Sequence, residues 1–405
     1  MKILVLGGAG AMAGFSIEKL LADDFFEEII VADYDEAAAK GKVESLNNKV
    51  LSAVGVDVHD KEALVELMNS VDVVANCTGP YYLLLEPVMD AFFDSDCKKY
   101  VDFCDDIEAM EVVMTDENQQ LAKDQGQTII IGLGGSPGVL PVEIMYGASL
   151  MDKVETVQLN MLLDELEEGG VAVWDHMIEN FQGQIAVYEN GELIEREGFS
   201  DVIEYTFPEK IFGDVGTVKL YDLGHPEPLT IPQVLPDIEN VYVKCAFYPP
   251  AGMDYVVEMN NQGFLSSEKV EVDGVEVSPR GVFLKMLENT VMNPDYPGGF
   301  QPEGREPEEY GTGTVIDIIG TKDGKEAHYR SAFQTDMGTV TGYPLAVGAI
   351  LLGKDEINEP GIMIPEEAIK NRKEFVDDVF NSIKDLGHPC KKIADMTYGL
   401  QDIRS

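Results

Sequence analysis

Short apolar runs alternate with helical periodicity over the first third of the chain. Strand runs fall at 2–8 (KILVLGG), 27–35 (EEIIVADYD), 54–60 (VGVDVHD), 71–79 (VDVVANCTG), 98–106 (KKYVDFCDD) and 127–135 (QTIIIGLGG). The intervening pattern predicts helices over 13–22, 36–53, 61–69, 83–95 and 108–125. Buried strands joined by helices predict a parallel sheet with helices on both faces and right-handed crossovers. From about residue 150 the period falls to two, as in VETVQLNMLL, GQIAVYENGELIE, GTVKLYD and GTVIDIIGTKDGKEAHYRSAFQT. The ENG and KDG junctions suit hairpin turns that need positive φ. This middle part reads as a largely antiparallel sheet with a few helices, among them 279–291, and a Pro/Gly-rich surface loop at 293–311. Helical texture returns after 340. The apolar stretch 337–353 is too short for a membrane span and reads as a buried helix with its entry turn. Three segments are expected: 1–140, 141–340, and a C-terminal helical piece, 341–405, that packs back on the first.

Composition narrows the possibilities. A chain of 405 residues with 45% apolar content fills more than one core. Residues 3–6 start a strand directly behind Met1 and Lys2, so no secretory signal is expected. Cys77, Cys97, Cys104, Cys245 and Cys390 form no CxxC pair, which favours free thiols and a cytoplasmic location. With five histidines and no zinc spacing, no metal site is expected. Seventy-four acidic against 29 basic residues give a net charge of −45. Such a surface repels nucleic acid and anionic membranes, so neither is an expected partner. The acids are dispersed along the chain; a cytosol of high ionic strength and an acid-biased lineage both account for them.

Candidate chemistry begins at VLGGAGAMAGFSIEKLL, residues 5–21. It contains Gly8-x-Gly10-x-x-Ala13 between a strand and a helix, the pattern of a Rossmann dinucleotide fingerprint. There a first glycine makes the turn, a second lets a diphosphate touch backbone amides, and the helix N-terminus, with Ala11 and Met12, holds the anion. Asp33 closes the next strand, 23 residues after Gly10, where an acid accepts from the adenosine ribose. Tyr34 and Asp35 follow, with no arginine for a 2′-phosphate, so NAD is expected over NADP. Asp57 and Val58 are candidates for the adenine contact, and Thr78, Gly79 and Pro80 for the ribose and nicotinamide. The bland alternatives are turn caps and plain loop backbone.

Six stretches together resemble the saccharopine dehydrogenase-like family. They are VLGGAGAMAG, VVANCTGPYY (73–82), KYVDFCDD (99–106), IIIGLGGSPGVLPV (129–142), DGVEVSPRGVFLKML (273–287) and GAILLGKDEINEPGIMIPEEAI (348–369). They run in order over nearly the whole chain. Ala13 stands where the family commonly has glycine. The resemblance implies an α/β chain: an N-terminal Rossmann doubly wound parallel sheet plus a second α+β domain with an open mixed sheet. It also implies an NAD(P)-dependent oxidoreductase of a C–N bond in an amino-acid-derived amine, usually a homodimer. It places Asp105 facing the cleft.

The residues themselves offer further candidates. GLGGSPG ends the sixth strand, where Gly134 and Ser136 suit a turn against a flat ring. In YDLGHPEPLTIP, His225 and Glu227 sit in a proline-stiffened loop, expected to come from the second domain. His225 is the candidate base, with Glu227 orienting it, and Asp105 the candidate anchor for a substrate ammonium. Tyr81 or Tyr82 would line the cleft, Trp174 is either core or pocket wall, and Arg280 and Arg330 are the cations with some context. A short-chain reductase needs Tyr-x-x-x-Lys near residue 150, but Tyr146 is followed by Leu150. A chain that binds NAD without turnover is the other alternative.

Overall fold

The computed structural model describes residues 1–164, 170–248, 250–290 and 312–398. The Pro/Gly-rich 293–311 stretch lies outside the described residues. The chain divides into two compact units, one of Met1–Met151, His225–Pro236 and Met337–His388, the other of Asp152–Gly224, Asp237–Asp336 and Pro389–Ser405.

The first unit alternates β1 (Lys2–Leu6), α1 (Ala11–Asp23), β2 (Glu28–Asp33), α2 (Glu36–Leu46), β3 (Leu51–Gly55) and α3 (Lys61–Met68). It continues with β4 (Val73–Asn76), α4 (Tyr81–Asp94), β5 (Lys99–Asp102), α5 (Ile107–Val113), α6 (Asp116–Gln125), β6 (Thr128–Ile130) and α7 (Val139–Ser149). Every strand pairs in parallel, in the order 361–363, β6, β5, β4, β1, β2, β3. β1 is central, so Ile3, Leu4, Val5 and Leu6 are fully buried, which is why it reads as an unbroken apolar run.

Boundaries shift where capping chemistry overrides periodicity. The predicted helix 36–53 stops at Leu46 because Asn47 turns left-handed at φ 44°. The chain then re-enters the sheet at Leu51, opposite Ile29. The predicted helix 108–125 is two helices: Thr115 caps the second by accepting from the Asn118 N–H at 3.2 Å. The strand expected at 54–60 ends at Gly55, leaving Asp57 in a turn. Gly361–Met363 joins the sheet beside β6, a strand too short to show a period.

The apolar stretch 337–353 is one buried helix, Met337–Gly353. It lies so close to α1 that a Cβ on Gly342 would sit 2.8 Å from the Ser16 nitrogen, and the Ser16 hydroxyl donates to the Gly342 carbonyl at 2.9 Å. No helix among the described residues is long and apolar enough to cross a membrane.

Among the described residues, the second unit holds a nine-stranded mixed sheet. Its main path runs 202–206, 217–222, 240–248, 153–164, 313–322, 325–335, 390–398, and the hairpin 184–189/192–197 joins at 240–248. Strands 240–248 and 153–164 run parallel and the other pairs antiparallel. The ENG and KDG turns form as expected, with Asn190 at φ 54° and Gly191 at 81°, and Asp323 at 52° and Gly324 at 71°. The last strand, Cys390–Tyr398, carries lysines and an aspartate at a sheet edge, which hid it inside the expected C-terminal helical piece.

Candidate functional site

The carboxyl ends of the first unit's strands carry the chemistry. Behind β1 the chain turns at Gly7, φ +67°, where a Cβ would lie 2.7 Å from the Cys77 carbonyl oxygen, so only glycine fits. The fingerprint reading gave the turn to Gly8; the left-handed residue is Gly7, and Gly8 packs on Val31 with its N–H on the Ala32 carbonyl at 3.0 Å. Gly10 is the N-cap of α1. It supplies no side-chain acceptor, and no acidic residue occupies the first turn. The opening amides of α1 thus have no anionic cap from the chain itself, while Gly10 and Ala11 are exposed and Met12 half-buried. This bare, positive helix end fits a diphosphate.

Beside it opens a cavity of about 410 Å³ lined by Leu6, Gly7, Gly10, Ala32, Asp33, Tyr34, Val56, Asp57, Val58, His59, Cys77, Thr78, Gly79 and Leu84. Six of the expected cofactor residues, Gly10, Asp33, Asp57, Val58, Thr78 and Gly79, share this wall. Asp33 is held at the end of β2 by the Ala9 and Asp35 N–H groups, each at 3.1 Å. The His59 backbone N–H and imidazole hold the Asp57 carboxyl below the usual carboxylate range. Gly8, Ala11, Met12 and Pro80 are not in this lining, although Ala11 and Met12 open α1 next to it.

A buried polar chain ties β4, β5 and β6 together. Asn76 donates to the Tyr100 hydroxyl at 2.9 Å, and Tyr100 donates to Asp102 at 2.9 Å. The other Asp102 oxygen accepts the Gly132 and Cys104 N–H groups at 2.8 and 3.0 Å. Asn76 also accepts from the Thr78 N–H and hydroxyl at 3.0 and 2.7 Å, which fixes Thr78 in the cavity wall. Burial lifts the Asp102 carboxyl to about 6, and the Asp105 charge adds to the rise. In the folded chain Asp102 therefore binds its proton more tightly than in the unfolded chain. Stability from this group is full below about 4 and is lost as pH rises to about 6. Asp102→Asn should remove that slope, saving roughly 3 kcal/mol of the loss between about pH 3 and 7 in denaturant titrations.

Asp105, the sequence candidate, lies half-buried in the loop after β5, between this network and Asp106, which caps α5 through the Ala109 N–H. Tyr81 is buried with its hydroxyl on the Asn76 carbonyl at 3.0 Å, and Tyr82 is exposed.

His225 and Glu227 were expected from the second domain; both belong to the first unit. Glu227 opens helix Glu227–Val234 and is fully buried. One of its oxygens accepts from the Ser136 hydroxyl, and the other meets His225 Nδ1 at 2.7 Å. Burial pushes the Glu227 carboxyl up, but the His225 charge, the His225 hydrogen bond and the Ser136 hydroxyl outweigh it and hold it below the ordinary range. An ionised Glu227 only accepts, so Nδ1 carries a proton in the neutral ring as in the charged one. Ser136 thus belongs to the Glu227–His225 hydrogen-bonded group. Gly134 is buried, its N–H bonded to the Pro137 carbonyl at 3.0 Å, and neither residue lines the dinucleotide cavity. The β5 loop abuts this turn, since a Cβ on Gly132 would touch the Cys104 carbonyl and the Pro137 ring, each at 2.9 Å.

In the second unit Trp174 stacks on Phe247 at 4.8 Å. Arg280 is ion-paired with Asp175 at 3.2 Å and with Glu179. Arg330 pairs with Asp317 at 2.6 Å, an acid that also meets His328 at 2.6 Å and Tyr205 at 2.7 Å. All five cysteines are free thiols.

A family profile described as the saccharopine dehydrogenase NADP binding domain matches residues 3–130, and one described as the saccharopine dehydrogenase C-terminal domain matches residues 166–387. Among solved structures, the chain is similar to apo histidine-tagged saccharopine dehydrogenase (L-Glu forming) from Saccharomyces cerevisiae. The TM-score is 0.69 at 15% identity, over 97% of this chain and 99% of that one, and this likeness shows the fold. GenD2 from gentamicin A biosynthesis, in complex with NAD, aligns over 98% of this chain and 96% of its own at 13% identity, with a TM-score of only 0.37. Two profiles in sequence order over most of the chain, on a parallel sheet whose glycine turn and bare helix end suit a nicotinamide dinucleotide, lead to one conclusion: the chain belongs to the saccharopine dehydrogenase family, whose members are NAD(P)-dependent oxidoreductases.

Proposed function

We propose that this chain is an NAD-dependent oxidoreductase acting on the C–N bond of an amino-acid-derived amine. The observation that carries the reading is the Ser136–Glu227–His225 relay, folded into the same unit as the dinucleotide cradle. When bound, the dinucleotide supplies the hydride chemistry. The amides opening α1 would hold its diphosphate and Asp33 its adenosine ribose. For oxidation the substrate nitrogen must first lose a proton, and His225 Nε2 takes it while Glu227 stabilises the imidazolium. Ser136 keeps Glu227 oriented. Asp105 anchors the substrate ammonium.

Purified protein mixed with NAD and a panel of diamino acids should give absorbance at 340 nm; aldehydes, amines and NADH test the reverse direction. No turnover with any member, despite dinucleotide binding, would favour a chain that binds NAD without catalysis.

NAD is favoured over NADP because the cavity lining includes Asp33 and Asp57 and neither lysine nor arginine. Asp33→Ala should weaken NAD at least about tenfold by calorimetry and leave NADP little changed, since the lost contact is to the ribose hydroxyls. A wild-type preference for NADP would contradict this assignment.

A further inference from the structure

Glu366 lies in the short helix Pro365–Ala368, fully buried in the first unit. One carboxyl oxygen accepts from the Thr230 hydroxyl at 2.6 Å, and the other is buried with no hydrogen-bond partner. Thr230 sits one turn along the helix that Glu227 opens. The nearby cation, Arg372, does not neutralise the carboxyl: its Nη2 donates to the Glu366 backbone carbonyl at 3.3 Å, and its Nε has no partner. Two fully buried carboxyls therefore lie close together with opposite surroundings. Glu227 has a histidine and a serine; Glu366 has one threonine and an oxygen facing no donor. Ionising Glu366 would place an unneutralised charge in the interior next to another, which costs far more than leaving one hydroxyl without a partner.

We propose that Glu366 is a positioning residue that holds a proton in the buried Glu227–Thr230–Glu366 cluster and thereby sets the charge balance of the His225–Glu227 pair. It rests on the reading of His225 as proton acceptor, and it deepens that reading by naming the group that tunes it. Burial lifts the Glu366 carboxyl to about 7, with the Glu227 and Glu367 charges adding and the Thr230 hydroxyl opposing. The charged groups on the surrounding elements are Glu227 from 227–234, Glu143 from α7, Glu367 on the same short helix and Arg372 at the start of 372–385.

Above about pH 7 an ionised Glu366 adds a negative charge near the His225–Glu227 pair and so favours the protonated imidazole. With glutamine at 366 no second charge develops, and His225 should titrate at lower pH and along a single-site curve.

The test is the imidazole titration of the full-length protein by nuclear magnetic resonance, with the His225 signal assigned from His225→Asn. Glu366→Gln should move the His225 midpoint down by about half a pH unit or more and narrow the transition. Thr230→Val, which removes the one donor to Glu366, should move it the same way. The infrared difference spectrum of wild type minus Glu366→Gln should show, below pH 7, a carbonyl band of a protonated buried carboxyl beyond the one that Asp102 gives in both proteins. A His225 curve in Glu366→Gln that superimposes on wild type, whatever the melting temperature does, overturns the proposal. His225→Asn turnover is read separately: if it stays at the wild-type rate, the reading of His225 as base fails, while the titration still decides the role of Glu366.

Discussion

Gly10→Asp should leave the melting temperature unchanged or slightly higher and weaken nicotinamide dinucleotide binding at least about a hundredfold, roughly 3 kcal/mol. The two effects separate because they draw on the same helix end in opposite ways. Gly10 has φ −60° and ψ 160°, a conformation any residue adopts, and a Cβ there meets one neighbour, the Gly7 carbonyl oxygen at 3.1 Å. Aspartate is among the best N-cap residues and complements the helix dipole, so the apo chain gains a few tenths of a kcal/mol or more. The same carboxylate takes the amides that the diphosphate needs and repels it. Calorimetry with NAD, paired with a thermal melt, reads both. Equal losses of binding and stability would mean that the turn, rather than an anion site, is what position 10 serves.

His225→Asn should lower turnover by about a hundredfold and leave NAD affinity within about twofold of wild type. General-base removal costs in this range, and His225 does not line the dinucleotide cavity, so binding and chemistry come apart. The asparagine cannot take a proton at neutral pH, and buried Glu227 loses its main counter-charge. The acid limb of the kcat/KM profile should disappear with the imidazole. Unchanged turnover and an unchanged limb would place the base elsewhere.

How much of this was legible in the sequence follows from the range over which each signal acts. The glycine turn, β1, α1 and Asp33 lie within one βαβ unit, where local apolar runs and spacing carry the information; there the expected elements formed. Even so, the left-handed residue is Gly7 and not Gly8, a distinction that two adjacent glycines do not reveal. The pairing of His225 with Glu227 was readable because the two are neighbours in the chain, but their membership of the first unit was not. Nothing in the chain around 225–236 tells which core its apolar residues enter. Ser136 reaches Glu227 across 91 positions, and Glu366 reaches Thr230 across 136, contacts that no periodicity encodes. Among the acids of DFCDD, the family resemblance pointed to Asp105. Full burial and four hydrogen-bond partners at once belong to Asp102, which ends a central strand. The strands at 361–363 and 390–398 escaped for separate reasons, one too short for a pattern and one charged along an edge.

The most direct test of dinucleotide binding is a crystal structure of the wild-type chain grown with NAD. A diphosphate is expected on the amides that open α1 at residues 10–12, with the Asp33 carboxylate on the adenosine ribose and Thr78 beside the second ribose. A nucleotide bound elsewhere, or Asp33 turned away from it, would contradict the assignment of this cradle.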